Sequence, residues 1–244
     1  MAGMSYSRGK QDSLISADEN RYMFDRIAGF YDGTNRVLSL GLDNRWRRTA
    51  VSRLAPQADG RYLDVGCGTA DVCIEILRQN PNCTVLGIDP SEKMLEIGRD
   101  KIEKRGLADN IRLESGDALN PAYEDDSFHG AITSFCVRNV TDRAKALSEI
   151  RRVVKPGGRL VILELTNPSG PIMGPLFGVY SRVVIPTVTR FMSSTSAYRY
   201  LTDSMAAFPQ AEEFIQLIGD AGFTDLKHRR LTGGIVTVFT GIVP

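Results

Sequence analysis

Apolar positions between Glu19 and Leu54 return at mostly helical spacing: Tyr22, Phe24, Ile27, Phe30 and Tyr31, then Val37, Leu38, Trp46 and Val51. The pattern predicts a helical cap over 19–54, broken near Gly33 and Gly41. From Arg61 the period changes. Arg61–Val65 reads as a short strand ending in Gly66, followed by a helix over about Asp71–Gln79 and a second strand at Thr84–Asp89. Ser91 is placed to cap a helix running through Arg105. Strands at Ile111–Ser115 and Gly130–Phe135, a helix from about Asp142 to Val154, and a strand at Arg159–Leu165 continue the alternation.

Such alternation predicts an α/β, Rossmann-like chain: a mostly parallel sheet covered by helices on both faces, with ligands collecting beyond the carboxyl ends of its strands. Residues 61–165 are the expected cofactor-binding core. After Pro168 the rhythm breaks, and 168–210 reads as an inserted lid. A helix at Ala211–Ala221 follows, and Thr224–Leu231 and Ile235–Val243 flank Thr232-Gly233-Gly234 as an antiparallel pair closing one side of the sheet. With 1–18 as a flexible tail, 19–244 is expected to form one domain, a size within reach of a single α/β unit.

Composition narrows the classes. At 42% hydrophobic and 24% charged residues the chain matches an ordinary soluble globular protein, against disorder, a fibrous repeat or a membrane-spanning bundle. A net charge of +1 offers no basic excess for neutralising phosphates, so no nucleic-acid partner is expected. Cys67, Cys73, Cys83 and Cys136 form no C-x-x-C pair and have no metal-ligand spacing, which implies reduced thiols, no metal and a cytoplasmic setting. The first residues lack the apolar run of a secretory signal. Residues 170–192 are apolar in places, but Pro171, Pro175, Arg182 and Pro186 interrupt them. That excludes a spanning helix and leaves peripheral contact at the inner face of a membrane, with ordinary lid packing as the alternative.

The loop after the first strand, Asp64-Val65-Gly66-Cys67-Gly68-Thr69-Ala70-Asp71, is G-x-G without a third glycine. Asp64 beside the turn would repel a dinucleotide's pyrophosphate. It suits S-adenosylmethionine, which presents a sulfonium and an ammonium to the acid and a carboxylate to backbone N–H groups. Asp89, ending the second strand, is placed to accept from both ribose hydroxyls, as it would in an NAD site too. Asp117 after the third strand can accept from the adenine amine, with the small Ala118 leaving room for the ring. A lone acid at a strand end is usually a cap or turn former; three at successive strand ends, one beside a G-x-G turn, favour adenosyl binding.

Two longer segments, Tyr31-Asp32-Gly33-Thr34-Asn35-Arg36-Val37-Leu38-Ser39 running on to Trp46 and Arg152-Val153-Val154-Lys155-Pro156-Gly157-Gly158-Arg159-Leu160 with Glu164, carry a resemblance. With Ser134–Asp142 and Ala197–Leu201, they make the chain from about Phe24 onward resemble the UbiE-type ubiquinone and menaquinone biosynthesis C-methyltransferases, within the class I methyltransferases. The resemblance implies a seven-stranded sheet with an antiparallel C-terminal strand, S-adenosylmethionine as cofactor, and Thr69, Asp89, Asp117, Ala118 and Ser134 as contact positions. Ala70 stands where the family usually has glycine, Thr34 for methionine, Asp43 for histidine and Cys136-Val137 for Gly-Leu. The changes at Thr34, Asp43 and Cys136 are expected on the acceptor side.

The reaction implied is methylation of a ring carbon of a prenylated quinol, leaving S-adenosylhomocysteine. Loss of a hydroxyl proton makes the ortho carbon nucleophilic, which an oxidised quinone cannot match. His129 and His228 lie outside the segments expected to line the pocket, so histidine-based catalysis is not favoured. Arg138 and Asn139, after the fourth strand, are the catalytic candidates, Arg138 by stabilising the phenolate. An ion pair with a nearby acid such as Asp142 is the competing reading. Tyr31, Asp32, Asn35, Tyr198 and Arg199 are candidates for the acceptor site, with core packing as the alternative for the tyrosines. Another acceptor on the same fold, or an adenosyl-binding protein without catalysis, stay open, as does a homodimer.

Overall fold

The computed structural model describes residues 15–168, 173–181 and 195–244, without the side chains of residues 176 and 195–199. Seven strands form one sheet: β1 (Arg61–Val65), β2 (Thr84–Asp89), β3 (Ile111–Ser115), β4 (Phe128–Ser134), β5 (Val154–Leu165), β6 (Thr224–Leu231) and β7 (Val236–Ile242), in the order β3-β2-β1-β4-β5-β7-β6. β1 to β5 pair in parallel, and β7 runs antiparallel to both β5 and β6. The chain winds outward from β1 in one direction to β3 and in the other from β4 onward. The loops after β1 and β4 therefore diverge and leave a crevice at their carboxyl ends.

Both faces of the sheet are covered, which is why its central strands read as almost unbroken apolar runs. On one face Tyr62, Ile132, Val161 and Leu163 pack with α2 (Asp43–Leu54), α3 (Asp71–Gln79) and α4 (Glu92–Lys104). On the other, Leu63, Val65, Ala131, Leu160 and Phe239 pack with α5 (Arg143–Val153) and the helix Ala211–Asp220. Ser91 caps α4 as expected, accepting from the Met94 N–H, and Asp142 caps α5. Between β5 and that last helix lie α6 (Met173–Val179) and α7 (Thr195–Ala207); Ala211–Asp220 is α8. The rest of the lid, 169–172 and 182–194, and the tail at 1–14 lie outside the described residues.

The first helix, α1 (Ala17–Leu38), starts at a capping box in which the Ser16 and Glu19 side chains each accept from the other's backbone N–H. It runs through Gly33, where the sequence pattern predicts a break. The chain turns only at Leu40-Gly41, both with positive φ (52° and 77°). A single glycine in a long helix costs about 1 kcal/mol and does not end it. No strand pairs with α1, so side chains fix its place. Lys101 of α4 meets Asp32 at 2.6 Å and Asp71 at 2.7 Å, and the Thr69 hydroxyl donates to Asp32 at 2.6 Å. Asp25 accepts from Ser91 at 2.6 Å, and Asn20 donates to the Tyr200 hydroxyl of α7 at 2.8 Å. Beyond the turn, Arg47 pairs with Asp43 at 2.5 Å and lies 3.6 Å from Asp71.

Removing the Lys101 cation leaves two acids facing each other. Because the cluster is partly solvated, Lys101→Met should cost about 1–2 kcal/mol in urea denaturation, between the values for exposed and buried pairs. It should also speed amide exchange through α1. Unchanged exchange in α1 would show that packing alone holds the helix.

Candidate functional site

Gly66 and Gly68 carry the loop after β1 in the left-handed region, at φ 72° and 52°. A Cβ at Gly66 would lie 2.3 Å from the Cys136 sulfur, whereas Gly68 faces open space. The Gly66 and Cys67 N–H groups donate to the Ile88 carbonyl, and the Gly68 N–H donates to Asp89 at 2.9 Å. Glycine is thus required by close approach at one position and leaves the backbone accessible at the other. Ala70, the departure from family glycine, sits at φ 66°, so its backbone is strained. That strain, about 1–2 kcal/mol, is largely offset by a fully buried methyl worth about 0.8 kcal/mol and by the lower chain entropy of alanine.

The loop after β4 turns at Phe135, a non-glycine residue at φ 57°, and continues through a 3-10 turn at Val137–Asn139. Strain of this kind gathers at functional sites. The competing reading of Arg138, an ion pair with a nearby acid such as Asp142, holds in kind but with another partner, since Asp142 caps α5. Arg138 instead pairs with Glu164 on β5 at 2.6 Å and donates to the Phe135 carbonyl at 2.8 Å. Burial works against the charge on Arg138, but the Glu164 carboxylate together with the Tyr31 and Tyr200 hydroxyls raises the guanidinium's pKa overall.

Two adjoining cavities open at the crevice. One, about 420 Å³, is the more polar of the two, with Gly66, Gly68, Asp89, Asp117, Ala118, Ser134 and Asn139 set among apolar residues such as Ile88 and Met94. The other, about 180 Å³, is mainly apolar and includes Asn35, Trp46, Arg138, Phe177 and Tyr180. Phe24, Tyr31 and Phe135 belong to both walls. α1 roofs both cavities, its N-terminal half over the first and its C-terminal half over the second.

Among the described residues, the buried side-chain polar atoms without a hydrogen-bond partner are Asp64 Oδ1, Thr133 Oγ1, Ser134 Oγ, Arg138 Nε and Asn139 Oδ1. All five lie on β1, β4 or the loop after β4. Such atoms are costly to leave unmet; Ser134 and Asn139 line the first cavity and Arg138 the second, which suits a polar ligand at this crevice, whereas Asp64 and Thr133 line neither. Asp89 accepts one backbone N–H on each oxygen, from Gly68 and Ser91, which leaves acceptor capacity on both. Burial raises its pKa. No group of three or more His, Cys, Asp or Glu among the described residues could hold a metal.

The family model described as the ubiE/COQ5 methyltransferase family matches residues 14–243. The chain belongs to this methyltransferase family. It is 43% identical over 222 residues to the ubiquinone/menaquinone biosynthesis C-methyltransferase UbiE of Geobacter sp. strain M21, covering 91% of this chain and 94% of that one. It is 40% identical over 225 residues to the demethylmenaquinone methyltransferase of Bacteroides fragilis, with 92% of each covered. Among solved structures, a SAM-dependent methyltransferase from Thermotoga maritima matches with TM-score 0.64 at 21% identity, over 91% of this chain and 99% of that one. The [4+2]-cyclase SpnF matches with TM-score 0.66 at 20% identity, over 82% and 81%. A cyclase on this fold shows that the fold by itself does not dictate methyl transfer.

Within the methyltransferase, the residues singled out from sequence separate. The polar wall gathers seven of them; Tyr31 stands at the junction, and Asn35 and Arg138 face the apolar side. Asp64 and Thr69 line neither cavity. Asp64 is fully buried behind the loop, accepts from the Cys73 thiol at 3.2 Å, and is raised by burial to about 7. The Thr69 hydroxyl is taken up by Asp32 and Lys101, and Asp32 likewise belongs to the tie that holds α1. Tyr198 and Arg199 lie in α7, their side chains outside the described residues. Of the positions read as departures, Thr34 and Asp43 line the apolar cavity, whereas Cys136 lines the other, against Gly66. His129 is the second residue of β4 and accepts from the Arg61 N–H, away from both cavities.

Sequence reasoning did not give Glu164, Phe135 or Tyr200 a role. Glu164 had a visible signal, a lone acid within the apolar run Leu160–Leu165. The other two had none, since the φ of Phe135 and the reach of Tyr200 to Asn20 are tertiary facts. For the buried Arg138–Glu164 pair, Arg138→Leu or Glu164→Leu alone should each cost about 3–5 kcal/mol in denaturant titrations, and the double variant less than either. Additive costs would mean that the two charges are solvated separately.

Proposed function

We propose that this methyltransferase moves a methyl group from S-adenosylmethionine to a ring carbon of a prenylated quinol, either a demethylmenaquinol or its ubiquinone-pathway counterpart, releasing S-adenosylhomocysteine. The observation that carries the reading is the pair of unlike cavities meeting at Tyr31 and Phe135, one holding Asp89, Asp117 and the unpartnered Ser134 Oγ and Asn139 Oδ1, the other mainly apolar. The printed names of the relatives, both quinone-pathway methyltransferases, agree with it.

The polar cavity suits the cofactor residue by residue. Asp89 would take the two ribose hydroxyls on its free lone pairs, and Asp117 the adenine amine beside the small Ala118. Ser134 Oγ and Asn139 Oδ1, both unpartnered, would meet the polar amino-acid end, and Gly66 and Gly68 would admit it close to the backbone. Bound there, S-adenosylmethionine supplies an electrophilic methyl.

On the acceptor side, Arg138 stays charged and favours the quinol as its phenolate, so it stabilises a charge and does not remove the proton. Asn35 hydrogen-bonds Tyr31, whose pKa burial raises; its hydroxyl therefore stays protonated and can donate to the same oxygen. The hydroxyl proton would leave to water through the open mouth, and after transfer the hydrogen on the methylated ring carbon would be lost as a proton and the oxygen reprotonated, restoring the aromatic quinol. A weakly polar chamber favours charge-neutralising transfer between phenolate and sulfonium, and positioning supplies much of the remainder. At about 180 Å³ the apolar cavity has room for a ring and not for a long tail, which must extend outward. Such a substrate resides in a bilayer, so the reading includes peripheral contact at the cytoplasmic face, through 170–192. Among the described residues no helix is long and apolar enough to cross a membrane.

The test is transfer of labelled methyl to chemically reduced demethylmenaquinol and to the demethylated ubiquinol precursor, with the oxidised quinones as controls. Product from a quinol and none from its quinone is expected. Tight cofactor binding with no product from either quinol would overturn the acceptor assignment.

A further inference from the structure

Asn20 is a buried polar residue in a helix that buries little else, Ala28 being the other buried residue of α1. It lines the cofactor cavity, and its side-chain Nδ2 donates to the Tyr200 hydroxyl of α7 at 2.8 Å. Tyr200 is 8% exposed and lines the acceptor cavity together with Arg138. One hydrogen bond, between residues 180 positions apart, thus joins the wall of one chamber to the wall of the other.

The direction of that bond decides what is left over. A phenol has one proton to give and lone pairs on which to accept. Asn20 engages Tyr200 as an acceptor, and this is the one hydrogen bond Tyr200 makes among the described residues, so its own proton has no taker there. An unmet buried donor is costly, and a link serving only to fasten α1 to α7 would be better made with Tyr200 donating. Burial pushes the Tyr200 hydroxyl up to about 12 against the pull of Arg138 and Asn20, so it keeps its proton at neutral pH and serves as a donor, not as a base. α7 packs on the Val137–Asn139 turn, which sets the hydroxyl near the Arg138 guanidinium.

We propose that Tyr200 binds the acceptor, its hydroxyl donating to a ring oxygen on the Arg138 side, and that Asn20 is the positioning residue that keeps this proton turned to the acceptor by occupying a lone pair of the same hydroxyl. The assignment rests on the quinol reading, which supplies the ring oxygen. It adds a third donor to Arg138 and Tyr31, and this donor is aimed from the cofactor side of the partition.

The test distinguishes a donor from a clasp by reversing the bond. In Asn20→Asp at alkaline pH the carboxylate can only accept, so Tyr200 donates to it; the link between α1 and α7 stays while the proton is withdrawn from the acceptor. In Tyr200→Phe/Asn20→Leu both partners become apolar, which leaves the helices in contact and no buried donor unmet. Labelled-methyl transfer to whichever reduced quinol the wild type accepts is measured with S-adenosylmethionine saturating, and amide exchange is followed through α7. Both variants should keep wild-type exchange in α7 and lose about ten- to a hundredfold in kcat/KM for the quinol, the effect of one hydrogen bond to a charged oxygen. Wild-type kcat/KM in a variant that keeps that exchange would overturn the assignment and leave a clasp. Faster exchange in both variants would also overturn it, by making the bond a structural tie. No product from wild type with either quinol would remove the quinol reading and this role with it, whereas product from wild type and equal product from Asn20→Asp would remove this role alone.

Discussion

Lys101 stands where three segments converge: Asp32 from the first helix, Asp71 from the start of α3 and the Thr69 hydroxyl from the loop after β1. The sheet and its two apolar faces would fold around β1 and β4 without this junction. The site would not, because α1 contributes no strand and few fully buried side chains, Asn20 and Ala28 alone in its length. Its position is decided by polar contacts at its flanks: this cluster, Asp25 on Ser91, and Asn20 on Tyr200. Each reaches a segment that also builds a cavity wall or carries one. Holding α1 in place and forming the two cavities are therefore one event.

The core was readable because its physics is local. Alternation of strand and helix patterns, the glycine turn after β1, and caps such as Ser91 are written within a few residues of where they act. Asp89, Asp117 and Ser134 could be assigned to one wall for the same reason, since each ends a strand or begins the loop after it. The misreadings share an opposite cause. Asp64 and Thr69 sit in the motif, yet their side chains turn to Cys73 and Asp32, partners that only the folded chain brings near. Gly33 reads as a break by residue type, but tertiary contacts on both sides carry the helix through it. Asp142 is near Arg138 in sequence, yet the nearer claim on its carboxylate is the helix it caps.

The division of the crevice also separates what belongs to the fold from what belongs to the chemistry. A crevice at the carboxyl ends of parallel strands belongs to the architecture, and a cyclase shares that fold at TM-score 0.66. The apolar chamber is made mainly by parts outside the sheet, α1, α2 and the turn into it, α6 and α7, with Leu165 at the end of β5 among its walls. Arg138 bridges the two levels, rooted in the sheet through Glu164 and facing the apolar side. On the proposed function, acceptor choice would rest on these additions, and Thr34 and Asp43 line the same chamber.

The central claim is that α1 divides one crevice into a cofactor chamber and an acceptor chamber joined at Tyr31 and Phe135. A crystal structure with S-adenosylhomocysteine tests it most directly. The account predicts the ribose on Asp89, the adenine beside Asp117 and Ala118, and the sulfur directed through the gap between Tyr31 and Phe135 toward the apolar chamber. A sulfur pointing to bulk solvent, or adenosine seated in the apolar chamber, would contradict it.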